Sequence, residues 1–138
     1  MTYLVDTNVI SEVRRRRPDA HVAAFFAHAK PAELFLSVLT IGEIRTGIER
    51  LRRKDEDRAN ALDRWLAGLC ASYADRIINV DAAIADEWGR LNVPDPLPVI
   101  DGLLAATAMA RGWTLVTRNV ADLSRCGVRL LNPFEPVA

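Results

Sequence analysis

The sequence predicts a single α/β domain over residues 1–138, with a central parallel β-sheet of about five strands flanked by helices on both faces. Three observations carry this. Short apolar runs of strand length alternate with longer segments whose apolar residues recur at helical spacing, the order expected of β-α-β units. The runs are apolar at almost every position, as in strands covered on both faces. And the chain has 138 residues, half of them hydrophobic, enough for one sizeable core and too few for two.

The first run, Tyr3-Leu4-Val5, breaks at Asp6 into Thr7-Asn8 before a helical pattern over residues 8–15. Four arginines at 14–17 follow, ended by Pro18; cations at a helix C-terminus oppose its negative dipole end, and contact with an RNA backbone is the functional alternative. Asp19 caps a second helix with Val22, Phe25, Phe26 and Ala29 on one face, as core or partner surface, and Pro31 stops it. A second buried strand spans 34–38. Thr40 and Glu43 then have capping-box spacing, at the start of a helix carrying Ile41, Ile44, Ile48 and Leu51, so Glu43 is expected on the first helical turn.

Dense alternating charge over 50–58 marks a solvated turn, and Leu62, Trp65, Leu66, Leu69 and Tyr73 return as the inner face of an antiparallel helical partner. A third strand over 76–80 leads to Asp81, which caps a helix with Ile84, Trp88 and Leu91. Pro94, Pro96 and Pro98 hold the chain extended until a helix begins at Val99. In that helix Asp101 is a charge in the first turn of an otherwise apolar run through Ala110, and something must compensate it; the helix dipole is one candidate, a metal ion a better one. Gly112 ends the helix, 113–117 forms a fourth strand, Asn119 and Asp122 resemble another cap before a brief helix, and 128–132 forms the last strand.

Composition narrows the function. The 18 basic and 18 acidic side chains cancel, so binding of nucleic acid by bulk positive charge is excluded and any such contact must be local. Cys70 and Cys126 lack paired spacing and are expected in the core; with no signal peptide or membrane-length apolar run, a reducing cytoplasm is expected. His21 and His28 have no partner at metal-ligand spacing and are assigned no role.

In a parallel sheet with crossover helices, strand C-termini and helix N-termini share one edge. Asp6, Glu43, Asp101, Asn119 and Asp122 all map there. Capping explains each singly, but not an acid alone in an apolar helix. Carboxylates gathered without a cation repel, and Mg²⁺ or Mn²⁺ prefers oxygen ligands, so the cluster implies a metal.

Four segments together resemble PIN-domain ribonucleases, particularly the VapC toxins of bacterial toxin–antitoxin pairs: Leu4-Val5-Asp6-Thr7-Asn8-Val9-Ile10-Ser11, Leu36-Ser37-Val38-Leu39-Thr40-Ile41-Gly42-Glu43-Ile44, Asp101-Gly102-Leu103-Leu104-Ala105-Ala106-Thr107-Ala108 and Val116-Thr117-Arg118-Asn119. The resemblance covers nearly the whole chain. It implies strand order 3-2-1-4-5, which leaves Asp81 at the sheet's far edge. It also implies catalytic, metal-binding acids at Asp6, Glu43 and Asp101, supported by Thr7, Asn8 and Thr117. For the fourth acid many relatives have Asp where Asn119 stands, and others use the position of Asp122; Asp122 assisted by Asn119 is expected here.

The activity so implied is hydrolysis of RNA phosphodiesters by metal-activated water, leaving 5′-phosphate and 3′-hydroxyl ends, with a small VapB-like antitoxin as partner and a homodimer as the assembly. No membrane association is expected. Aspartyl-phosphate chemistry, as in receiver domains or small phosphatases, is disfavoured because such sites need a Lys near a late strand and the only lysines are Lys30 and Lys54. A PIN-like module that binds RNA or protein without cutting is the non-enzymatic alternative.

Overall fold

The computed structural model of the chain describes residues 1–136. Strands β1 (Tyr3–Val5), β2 (Leu34–Ser37), β3 (Ile77–Ile78), β4 (Thr114–Val116) and β5 (Arg129–Leu131) form one parallel sheet in the order β3-β2-β1-β4-β5. This is the fold class and strand order expected. Leu4 pairs with Phe35 on one side and Leu115 on the other, which makes β1 the central strand.

Among the described residues seven α-helices cover the sheet: α1 (Thr7–Glu12), α2 (Ala20–His28), α3 (Val38–Arg52), α4 (Glu56–Ser72), α5 (Ala82–Leu91), α6 (Val99–Arg111) and α7 (Val120–Leu123). Successive strand residues point to opposite faces, so β1 and β4 each feed two cores. Val5 and Val116 pack with Val9, Val22, Ile48 and Leu66 from α1, α2, α3 and α4. Leu4 and Leu115 pack with Leu104, Ala105 and Leu123 from α6 and α7. Leu4 and Leu115 are fully buried, and truncating either to Ala should cost about 2–5 kcal/mol.

Caps at Asp19 and Asp81 form as the sequence predicts, each carboxylate accepting a backbone N–H of its helix's first turn. Gly112 closes α6 at φ 70°, the left-handed conformation that glycine adopts without steric cost. Helices α3 and α4 pack together as expected, joined by Asp63, which accepts from Arg45 at 2.8 Å and from Arg52 at 2.9 Å.

Two local expectations are corrected. Ser37, rather than Thr40, caps α3, its hydroxyl accepting from Leu39 N at 3.0 Å; the helix begins at Val38 and Glu43 falls on its second turn. Thr40 is instead fully buried. Helix α1 ends at Glu12, before the arginines, which lie exposed in the following turn. The buried Glu12 side chain takes up that turn, accepting from Asp19 N at 2.8 Å and from Arg15 at 3.2 Å, which holds its carboxyl below the usual range. The cysteines are partly buried and both histidines exposed. Among the described residues no helix is long and apolar enough to cross a membrane.

Candidate active site

Asp6 is the first residue past the central strand. Its backbone N–H continues the sheet by donating to Val116 O at 2.9 Å, and its carbonyl accepts from Val9 and Ile10 to start α1. Its carboxylate is only 5% exposed and is gripped from both sides: Oδ1 accepts from Thr7 N at 2.7 Å and Oδ2 from the Thr117 hydroxyl at 2.8 Å. Thr117 follows β4 directly, so its hydroxyl reaches Asp6 because those strands are neighbours.

Thr7 turns the other way. Its hydroxyl lies 2.6 Å from Glu43 Oε1 and 3.1 Å from the Thr40 hydroxyl. A hydroxyl has one proton, so while donating to the carboxylate it accepts from Thr40. Thr40 and Glu43 are three apart on α3 and share a face, so a buried threonine relays through Thr7 to hold the acid. Sequence reasoning assigned Thr40 to a cap; the signal for its second role was that same spacing.

Asp101 is the third residue of α6, half-buried, and its Oδ2 accepts from the Asn119 side-chain amide at 2.9 Å. Asn119 N in turn donates to Thr117 Oγ1 at 3.0 Å. Asn119 precedes α7 but makes no side-chain cap to it, because its amide is used on Asp101. One hydrogen-bonded chain thus runs Asp6, Thr117, Asn119, Asp101, and a second runs Glu43, Thr7, Thr40.

The electrostatics are those of uncompensated acids. Burial pushes the Asp6 carboxyl up from its ordinary value, the Asp101 and Glu43 charges add to that, and the hydrogen bonds from Thr117 and Thr7 oppose it. Of the remaining expected residues, Asn8 and Asp122 are exposed, and among the described residues neither side chain hydrogen-bonds to the others of the set. Asp81 caps α5 beside the edge strand β3, away from the cluster, as expected.

The PIN domain pattern matches residues 3–126 of this chain, from the start of β1 past α7. The chain belongs to the PIN domain family. A plasmid stability protein, StbB, of Pseudomonas syringae pv. tomato is 32% identical over 96% of this PIN domain chain and 98% of its own. The VapC ribonuclease Y4jK of Sinorhizobium fredii is 28% identical over 96% and 98%. Among solved structures, FitAcB from Neisseria gonorrhoeae superposes with a TM-score of 0.90 at 28% identity, covering 98% of this chain and 100% of that one.

The PIN domain's donor set at this edge is oxygen throughout, which suits a hard divalent cation and not a soft one. In their present rotamers no three His, Cys, Asp or Glu side chains among the described residues converge on a metal-ligating point. Glu43 is turned to Thr7 and Asp101 to Asn119.

Proposed function

We propose that this PIN domain is a Mg²⁺- or Mn²⁺-dependent endoribonuclease and the toxin of a toxin–antitoxin pair. The observation that carries the reading is Asp6. It is buried at the end of the central strand with its pKa raised, two further carboxylates from distant segments add to its charge, and among the described residues none of the three forms an ion pair. Such an arrangement costs stability unless a cation joins it. The relatives named VapC ribonuclease Y4jK and toxin FitB, each aligned over 96% of the chain at 28% identity, support nuclease and toxin roles.

Asp6, Glu43 and Asp101 would hold the ion. A divalent cation, when bound, would supply an acidified water and neutralise charge at the scissile phosphate. Thr117 and Thr7 fix the two oxygens of Asp6, Thr7 also orients Glu43, and Asn119 ties Asp101 to Thr117 and so to the Asp6 end of the site. That geometry supports Asn119 as the residue completing the site through Asp101, with Asp122 as a further ligand reached only if its exposed side chain swings in. Asn8, beside the cluster and exposed, is available to substrate. Neither histidine serves as base: His21 and His28 line a different cavity, with Tyr3 and Leu131, that includes none of Asp6, Glu43 and Asp101.

The partner we propose is a small VapB-like antitoxin, and the assembly a homodimer. A groove of about 490 Å³ between α1, α2 and α4, lined by Val13, Phe26, Trp65 and Tyr73, offers an apolar bed for a partner helix. Of the stripe expected on α2, Phe26 opens to this groove, while Val22 is buried in the core and Phe25 packs edge-on against Tyr3 at 5.2 Å.

The purified protein should cleave single-stranded or loop RNA with Mg²⁺ or Mn²⁺ and stop in excess EDTA; cleavage undiminished by EDTA would overturn the metal reading. Expression without a partner should arrest growth, and normal growth with soluble protein accumulating would overturn the toxin reading. A second reading, a PIN-like module that binds RNA or protein without cutting, is favoured by the lack of three converged ligands among the described residues. RNA binding without cleavage under all divalent conditions would select it.

A further inference from the structure

A groove of about 230 Å³ lies between α1, α3 and α4, and Glu43 of the acid cluster lines it together with Thr7, which hydrogen-bonds both Glu43 and Asp6. Arg14, from the turn after α1, and Arg58, from the first turn of α4, line its walls. Three arginines of the surrounding turn and helices are committed, Arg15 to Glu12, Arg45 to Glu49 and Asp63, and Arg52 to the same two acids, and of the unpaired ones Arg14 and Arg58 are the two that line this groove. Arg14 and Arg58 have no ion-pair partner among the described residues. The turn bearing Arg14 is anchored, because the buried Glu12 carboxylate binds Asp19 N and Arg15 across it.

Gly47, inside α3, also lines the groove. A Cβ there would meet nothing within 4 Å, so packing does not require glycine, although glycine costs a helix interior roughly 0.5–1 kcal/mol relative to alanine. Its effect is to leave the space between the two arginines and Glu43 open. Two guanidinium groups without ion-pair partners, lining one groove together with Glu43, complement an anionic chain whose next unit lies at the acids. The planar guanidinium matches phosphate with paired N–H donors.

We propose that Arg14 and Arg58 form a subsite for an RNA phosphate flanking the one cleaved at the acid cluster. This rests on the reading of that cluster as a ribonuclease site. The net charge of the chain is zero, so a contact to phosphate must be a local one.

The test uses the purified chain with a short single-stranded RNA, comparing wild type with Arg14→Gln, Arg58→Gln and, as a control on the exposed side of α4, Arg64→Gln. Each groove variant should raise KM about tenfold with kcat little changed, and should lower the slope of log binding against log salt by about 0.7. Gly47→Glu adds a better helix former that points a carboxylate at the arginines; it should raise KM similarly without lowering the melting temperature, which a merely structural role for the groove does not predict. The subsite is overturned, and the ribonuclease reading kept, if wild type cleaves while the groove variants match Arg64→Gln in KM and salt slope. It is equally overturned if they lose affinity for an antitoxin yet bind RNA normally, since the groove then docks protein. Wild type that neither binds nor cuts RNA removes the subsite together with the reading beneath it.

Discussion

The side-chain amide of Asn119 donates to Asp101 Oδ2 at 2.9 Å across 18 residues of sequence, while its backbone N–H is held by Thr117, the residue that also grips Asp6. Asn119 therefore couples two acids of the cluster without carrying charge. An aspartate in this place could not donate to Asp101 and would add a fourth repelling carboxylate.

Asn119→Ala should leave Asp101 free to rotate and lower activity about 10- to 100-fold, with a higher Mg²⁺ requirement, the range seen when a residue supporting a metal ligand is removed. Asn119→Asp should lower the melting temperature in EDTA and gain more from Mg²⁺ than wild type does. Asp122→Asn should change both by less than twofold. Metal titrations of cleavage on the three variants check this, and a large loss in Asp122→Asn alone would place the fourth ligand on α7.

The raised pKa of Asp6 makes a stability prediction with a definite sign. Its folded value lies above the ordinary carboxyl value, so its contribution to folding is fully present at pH below that ordinary value and is lost as pH rises through the folded pKa. At neutral pH without metal, Asp6→Asn should melt higher than wild type, and the gap should close as pH falls toward 4. The Thr117 hydroxyl can turn from donor to acceptor to meet the new amide. Mg²⁺ at ten times its Kd should add roughly 1.4 kcal/mol to wild type and little to the variant. Asp81→Asn, which keeps a capping oxygen for α5, should alter none of this. Thermal unfolding across pH with EDTA and with Mg²⁺ measures all three.

Gly102 stands next to Asp101 because of a close approach. A Cβ there would lie 3.2 Å from Cδ1 and Nε1 of Trp88 and 3.4 Å from Leu97 Cβ, so the α5 indole sits directly beneath the first turn of α6. Gly102→Val should destabilise by about 1–3 kcal/mol and depress cleavage, since relief of the clash moves the turn carrying Asp101. Trp88 Nε1 is buried with no partner among the described residues, so Trp88→Phe forfeits no hydrogen bond. The double variant Gly102→Ala/Trp88→Phe should recover activity lost in Gly102→Ala, and failure to do so would show that the clash is not the cause.

Glu12 closes the arginine turn through a carboxylate whose pKa is lowered first by the Asp19 N–H and then by Arg15. A depressed acid contributes stability above its ordinary pKa and loses it as pH falls through the folded value. Glu12→Ala should destabilise at neutral pH but progressively less in acid, and hydrogen exchange at Asp19 N should accelerate. Unchanged exchange there would show that the turn is held by other contacts.

What the sequence determined by itself is local in origin. The apolar run that stops abruptly at Asp6 marks the first strand and the edge where it ends, since a doubly covered strand tolerates polar residues only on leaving the sheet, whereas the strands expected over 34–38 and 113–117 end in the fold at Ser37 and Val116. Asp19 and Asp81 cap helices because a short acid before a helical pattern bonds the nearest backbone N–H groups. The gathering of Asp6, Glu43 and Asp101 at one edge follows from parallel topology alone, and the strand order followed from the PIN resemblance rather than from periodicity. Tertiary structure decided how those acids are held. Thr40 and Asn119 carry spacings that read as caps, and a local rule assigns them to their own helices. In the fold, Ser37 takes the cap of α3, which leaves Thr40 buried against Thr7, and the neighbouring positions of β4 and α6 draw the Asn119 amide to Asp101. The open pair of Arg14 and Arg58 is likewise invisible in sequence, because it depends on which arginines the packed helices supply with carboxylates. Side-chain hydrogen bonds and ion pairs between distant segments have no sequence period; they exist only once the sheet has brought those segments together.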